Sequence, residues 1–389
     1  MREWWTYKKL GEVCEILNGF AFKSGNYTEQ GIRVLRITNV QKGLIVDDDP
    51  KYYPFDEETN LKQYMLKEGD LLMSLTGNVG RVGLLQKNLL PAALNQRVAC
   101  LRIKNSNIQL EYIFHLLNSD CFERDCIFNA TGIAQKNMST EWLKKYNIPI
   151  PSLSEQQSIV AELDKINELI SLKKAQLSDL DSLAQSIFYD MFGDPVTNEK
   201  GWEKKKYEDI CLIITDGEHS TPKRESIGVF LLSARNIHNH RLELQDVDYI
   251  GEDEYNRVSK RIIPQAKDIL ISCSGSVGRV CSVPDDLKFQ MVRSVALLRL
   301  KSHMNNVFFE YLISSDFTQE QINKAKTNSA QANLFQGRIK KLIAIIPPLT
   351  LQQEFAKRIE LIEQQKAQIS STIKDLETLL ASRMQYWFD

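Results

Sequence analysis

The chain has 389 residues, of which 43% are hydrophobic and 25% charged, with a formal net charge of −1. That is enough apolar material for two or three packed domains, and no run approaches the ~20 apolar residues a membrane span needs. The seven cysteines form no CxxC pair and no zinc-spaced His/Cys cluster, and Met1–Lys9 has no apolar signal core, so a reduced, cytoplasmic protein without a metal site in this chain is expected.

The near-neutral total conceals an uneven distribution. Segments 154–195 and 350–389 carry −5 and −1, which leaves +5 on the remainder. The remainder is therefore mildly basic, as a polyanion-binding surface would be.

In chain order, a first globule is expected over residues 1–152. It opens at Trp5–Cys14 as a strand or turn running into a short helix. Short β-like runs follow at Val34–Ile37, Leu71–Leu75 and Val98–Ile103, then helical periodicity at Tyr112–Leu117. The prolines of Ile148–Pro151 force an extended exit. A long helix over 153–193 should start at an N-cap Ser154, with Gln157 in capping-box position. Its apolar seam is Ile159, Leu163, Ile166, Ile170, Leu177, Leu180, Ala184, Ile187 and Met191, interrupted at Lys173. Gly193 and Pro195 end it, and 194–200 is a linker.

The pattern then repeats. Glu68–Val82 returns as Ala266–Val280, and other blocks return at nearly the same offset. The second globule, 201–348, has strand-like runs at Phe230–Leu232, Ile269–Ser272 and Val295–Leu300, a helical run at Phe308–Ile313, and an exit at Ile345–Pro348. A second long helix, 349–389, should be capped by Thr350 with Gln353. Its seam is Phe355, Ile359, Ile362, Ile369, Ile373, Leu376 and Leu380, interrupted at Lys366. The two lysines either fix the register or snorkel outward. The fold class is α+β: two similar globules, each followed by a long helix. The helices should pair as an antiparallel coiled coil with pseudo-twofold symmetry, because each seam needs cover and the other is the nearest match.

Base edges are read by Arg, Lys, Asn, Gln, Ser and Thr on surfaces that enter a groove. In globule one the candidates are Phe20, Phe22, Lys23 and Ser24, then Arg36 and Asn39, then Thr76, Asn78 and Arg81 of a glycine turn, and Gln96 and Arg97. In globule two they are Asp216, His219, Lys223, Arg235, Asn236, Ser274, Ser276, Arg279 and Arg293. The scaffold repeats while the polar tips differ, as two modules reading two sequences would. Gly77 and Gly80 lack the lysine and Ser/Thr of a phosphate loop and read as a tight turn, with Arg81 and Arg279 reaching phosphates. The polar loops Thr131–Asn137 and Asn328–Asn333 have no assigned role, and His238-Asn239-His240, with no third ligand evident, reads as a surface loop.

These residues resemble the specificity subunit of type I restriction-modification systems. The resemblance lies in Trp4–Val13, Asn18–Ser24, Asp216-Gly217-x-His219, the Gly-Asp-Leu-Leu…Gly-x-x-Gly-Arg-Val block, the Pro-x-x-x-x-Gln-Gln helix entries, and Phe192-Gly193-Asp194-Pro195 followed by Gly201-Trp202. It covers essentially the whole chain. It departs where Lys267 replaces Gly69 and where Ser220 splits the usual His-Thr spacing. The resemblance implies two target-recognition domains, each reading half of a bipartite, asymmetric site on double-stranded DNA. The helices would act as a ruler and dock two methyltransferase subunits, with restriction subunits added in a restricting complex. S-adenosylmethionine, Mg²⁺ and ATP would belong to those partners, and no catalytic residue or cofactor is expected here. The alternatives are a methyltransferase or nuclease with fused recognition domains, or a coiled-coil scaffold. Against the first, the chain has no Asn-Pro-Pro-Tyr/Phe tetrapeptide, no Gly-rich cofactor loop after a strand and no Walker A motif. A scaffold would not explain two large globules with varied tips.

Overall fold

The computed structural model describes residues 5–132, 136–326 and 332–389. The chain divides into two compact units, Met1–Lys174 with Ser371–Asp389, and Ala175–Ser370. Each long helix, Leu153–Phe192 and Leu349–Phe388, contributes a segment to each unit. The boundary thus falls inside the helices rather than at their ends, because each globule buries apolar residues from both.

In the first unit, strand Thr6–Lys9 pairs antiparallel with Asn147–Ile150, the proline-bearing exit. A four-stranded antiparallel sheet follows the order Cys14–Asn18, Val98–Ile103, Leu71–Ser74, Val82–Leu84. The two central strands are almost wholly buried, so they read as continuous apolar runs. A smaller sheet sets Ile32–Leu35 between Tyr52–Tyr53 and a parallel strand, Ala92–Leu94. Helices Leu110–Leu117, Asp120–Asn129 and Thr140–Lys145 complete the globule.

The second unit repeats this order. Glu203–Lys206 pairs with Ile343–Ile346, and the large sheet runs Cys211–Asp216, Val295–Leu300, Ile269–Ser272, Val280–Ser282. Its small sheet places Val229–Leu232 between Asp248–Ile250 and a parallel Phe289–Met291. One addition is a full helix, Glu252–Val258, where unit one has only Glu58–Leu61.

Two polar clamps recur. Asp70, buried in the Gly-Asp-Leu-Leu block, takes a bidentate pair from Arg102 at 2.7 Å and 2.7 Å, and Asp268 takes one from Arg299 at 2.8 and 2.7 Å. Each carboxylate also accepts a backbone N–H, from Lys67 or Gln265, at 2.8 Å. The left-handed turn before it is kept although Lys267 (φ 70°) replaces Gly69 (φ 82°). The second clamp is the buried first glutamine of each Gln-Gln pair. Gln156 accepts from Gln109 N–H at 2.9 Å and donates to the Pro151 carbonyl at 3.0 Å. Gln352 accepts from Asn305 N–H and donates to the Pro347 carbonyl, both at 2.8 Å.

The expected helix caps are corrected here. The first long helix begins at Leu153, with Ser152 and Glu155 bonding each other's backbone N–H, so Ser154 and Gln157 are not the capping pair. The second begins at Leu349, with Leu351 and Gln352 N–H on the Pro348 carbonyl, so Thr350 is already inside the helix. The C-terminal end of the first helix is as expected: Gly193, at φ 71°, donates to the Tyr189 carbonyl.

Within each unit the helix segments run antiparallel. In unit one, Glu162 holds Arg383 and accepts from Trp387 Nε1 (2.9 Å), while Lys174 meets Glu377 (2.9 Å). Trp387 stacks on Trp5. In unit two, Phe355 packs on Phe188 and Phe192, and Lys366 bridges Asp181 (2.7 Å) and Glu363 (2.8 Å). Burial disfavours the Lys366 charge, yet its two carboxylate partners raise its pKa. Lys366 is thus an inter-helix pin and not an outward-pointing side chain. Ile159, Leu163, Ile166, Ile170, Leu180, Phe355, Ile359, Ile362, Ile369 and Ile373 are buried, and Leu177, Leu376 and Leu380 half-buried. One seam residue is corrected: Phe188 and Phe192 enter the core in place of half-buried Ile187. A 3.6-residue turn drifts away from a strict heptad by that point.

Candidate nucleic-acid interface

In each unit three loops separate in sequence meet at one tip. In unit one, Phe20 N–H donates to the Leu94 carbonyl (2.8 Å), Gln96 N–H to the Phe20 carbonyl (2.9 Å), and Asn95 N–H to the Leu35 carbonyl (3.2 Å). In unit two, Glu218 N–H donates to the Met291 carbonyl (2.9 Å), Arg293 N–H to the Glu218 carbonyl (3.0 Å), and Ala234 N–H to Ser294 Oγ (3.0 Å). A glycine makes the approach possible. A Cβ on Gly19 would lie 2.3 Å from the Asn95 carbonyl, and one on Gly217 2.3 Å from the Met291 carbonyl.

The tips carry different chemistry on this shared frame. Unit one is aromatic: Phe20 and Phe22 sit at 5.1 Å, Phe22 and Tyr53 at 5.0 Å, and Phe20 and Tyr64 at 5.3 Å. The rings pack on a small core, so Phe20 and Phe22 are half-buried, while Lys23 and Ser24 are exposed. A cleft of about 350 Å³ is lined by Phe22, Tyr27, Arg36, Thr38, Gln96 and Arg97. It unites three of the sequence-predicted groups.

Unit two is charged. Asp216 holds Arg261 and His219, the latter at 2.9 Å. Glu218 accepts from Ser220, and Glu254 takes Arg257 through two bonds of 2.9 Å and the Lys223 N–H at 3.0 Å. The Arg257 hydrogen bonds pull the Glu254 pKa down to about 2, and the Ser220 contacts lower that of Glu218. The Lys223 side chain points to solvent. Arg257, Arg261 and Glu254 were missed in the sequence. Their only signal is charge on one amphipathic turn and the residues just after it, a pattern shared by most surface helices.

Several predicted readers are engaged inside the fold. Asn39 is 3% exposed, accepting from Arg36 N–H (2.9 Å) and donating to the Val46 carbonyl (2.8 Å). Asn236, 1% exposed, likewise joins Ser233 N–H to the Glu243 and Asp246 carbonyls. Both are turn clamps, not readers. Arg36 is held by Asp49, Arg235 by Asp246 and Asp248, and Arg81 by Gln41 at 2.6 Å. Thr76 is 8% exposed and Ser274 half-buried, and each is bridged to a neighbouring loop, at Asn137 and Asn333. Asn78 and Ser276 are exposed, but their carbonyls accept from Ser74 and Ser272 across the glycine turn. Arg279, half-buried, bonds through its backbone N–H to Ser272 Oγ at 2.9 Å. Gly80 and Gly278 seat that turn against helices Asp120–Asn129 and Asp316–Ala325. Here the tight turn packs against a helix in each unit. Gln96, Arg97 and Arg293 are exposed.

The stretches 133–135 and 327–331 of the two unassigned loops, and Trp4 of the opening motif, lie outside the described residues. His240 stacks on Tyr311 (4.2 Å) and meets Glu310 (2.8 Å), in a cleft of about 730 Å³ that shares no residue with the tip. Among the described residues no group of three or more His, Cys, Asp or Glu could hold a metal ion. No helix there is long and apolar enough to cross a membrane.

The sequence model described as "Type I restriction modification DNA specificity domain" matches twice, at residues 2–181 and 199–378. The chain belongs to this family. The type I specificity subunit EcoBI of Escherichia coli is 23% identical over 385 residues, 92% of this chain and 78% of that protein. The MjaVIII specificity subunit of Methanocaldococcus jannaschii is 31% identical over 187 residues, 47% of this chain and 44% of that protein, under half of the relative's length. Among solved structures, a chain from work on complex assembly and conformational transition of the type I R-M system gives a TM-score of 0.60 at 17% identity, covering 100% of this chain and 98% of that one. The S subunit from M. genitalium gives 0.52 at 14% identity, covering 99% and 96%. At such identities the likeness establishes the fold alone: two specificity domains of mixed helix and sheet, with long helices.

Proposed function

We propose that this chain is the non-catalytic DNA-recognition subunit of a type I restriction-modification complex. Each unit reads one half of a bipartite, asymmetric site on double-stranded DNA. The helices set the spacer and dock two methyltransferase subunits, which supply S-adenosylmethionine-dependent adenine methylation. Restriction subunits, with Mg²⁺ and ATP, join in a restricting complex. The supporting observation is the recurrence of one tip geometry in both units with unlike side chains on it. A repeated frame with divergent tips suits two targets of different sequence. The long helices have 40 residues each, about 60 Å at 1.5 Å per residue.

The test is methylome sequencing of cells carrying the gene with its methyltransferase partner. A split motif with a fixed gap, lost on deletion of this gene, is the expected result. An uninterrupted motif, or methylation that persists without this chain, would refute it. Inserting four residues in phase into both helices adds about 6 Å and should widen the gap by one or two base pairs at about 3.4 Å each.

A further inference from the structure

Most donors near the tips are already engaged, on Asp49, Asp246, Asp248, Gln41 or the backbone. Among the unengaged ones, one position is held alike in both units. Gln96 in unit one and Arg293 in unit two each stand two residues beyond the parallel pair that ends the small sheet, Leu35↔Leu94 and Leu232↔Met291. Each is fixed by its backbone N–H on the facing loop, at Phe20 (2.9 Å) and Glu218 (3.0 Å). Both side chains are exposed, and among the described residues neither has a hydrogen-bond partner. A rigidly held backbone carrying an unengaged amide or guanidinium is what direct readout requires. In the major groove, glutamine matches adenine N6 and N7, and arginine matches guanine O6 and N7. The next residue differs in kind: Arg97 is exposed, while its counterpart Ser294 is engaged by Ala234 N–H.

We propose that residues 96 and 293 are one equivalent base-reading position, with Gln96 selecting an adenine in the half-site of unit one and Arg293 a guanine in that of unit two. This rests on the DNA-reading function above. The position then works as an exchangeable letter on a constant frame.

The test uses the full chain co-expressed with its methyltransferase partner, with methylated motifs mapped for wild type, Gln96→Arg and Arg293→Gln. A split motif from the wild type first establishes the function itself, so its absence counts against that reading and not against this one. Given that motif, Gln96→Arg should change one base pair in one half from A·T to G·C, and Arg293→Gln should make the reverse change in the other half. Spacer and remaining bases should stay unchanged. An unaltered motif in both variants overturns the proposal. If a variant abolishes methylation, fluorescence anisotropy of the complex on duplexes carrying all four bases at each position decides. A preference shifted ten-fold or more at one base pair supports the assignment, and uniform loss at every base overturns it.

Discussion

Unit one and unit two share their interiors and differ at their tips. Asp70–Arg102 and Asp268–Arg299 are the same clamp with nearly the same distances, and so are Gln156 and Gln352. At the tip, Phe20 and Phe22 of one unit stand where the other has Glu218 and Ser220. Buried polar pairs have a geometry that tolerates few alternatives, so a duplicated chain keeps them. Side chains facing solvent are under no such constraint and can follow a ligand.

The largest effect should come from the shared part. Asp70→Ala or Asp268→Ala leaves a largely buried guanidinium without its partner, which costs about 3–5 kcal/mol. Thermal denaturation should show similar losses in the two variants, and a loss confined to one would break the equivalence of the interiors. Gln156→Leu and Gln352→Leu strand the N–H of Gln109 or Asn305, at about 1–3 kcal/mol each, again alike in both units by denaturant titration.

A pH comparison separates the units. Buried His115 occupies the helix position that Tyr311 fills in unit two. Burial holds the His115 pKa below the usual imidazole range, partly opposed by its hydrogen bond with Asp164 (2.7 Å). A base whose folded pKa is depressed binds fewer protons folded than unfolded. Its contribution is therefore present above about pH 6.5 and lost as pH falls from there toward the folded value. Acid should thus destabilise the wild type more than His115→Tyr between pH 7.5 and 5.5. Tyr311, whose pKa burial raises, contributes nothing in that range. Equal slopes would remove the distinction.

Smaller still is the effect of Lys23→Ala at the aromatic tip. In the assembled complex it should reduce the slope of log affinity against log salt by about one, without changing the motif. The smallest concerns Lys267, which holds φ 70° where Gly69 holds φ 82°. Lys267→Gly should relieve up to about 1 kcal/mol of left-handed strain, read as a slightly higher melting temperature. No gain would mean the turn bears no strain.

Much of the frame was legible in the sequence because it is written twice. The matching blocks pointed to the strands Leu71–Ser74 and Val98–Ile103 with their copies, the proline exits and both long helices, but not to Cys14–Asn18, Val82–Leu84 or Ala92–Leu94. What escaped was the direction of individual side chains. Asn39 and Asn236 look like readers in sequence because a polar residue at a turn gives no sign of facing inward. Gln156 and Gln352 were passed over for their neighbours, since a capping pattern two residues late, at Ser154 and Gln157 instead of Ser152 and Glu155, reads equally well. Ile187 displaced Phe188 because a heptad count does not follow the true helical pitch. The charged tip of unit two depends on Glu254 and Arg257 from a helix with no full counterpart in unit one, so repetition could not expose it.

The makeup of unit one has a consequence for synthesis. Its core includes Trp387 and Phe388 as well as Trp5 and Tyr112. The ribosome emits all of unit two before residues 371–389, the last pieces of unit one, exist. The segment born first is thus the last to be completed. A message cut short before residue 371 would leave the older half, not the newer one, with an unsealed interior.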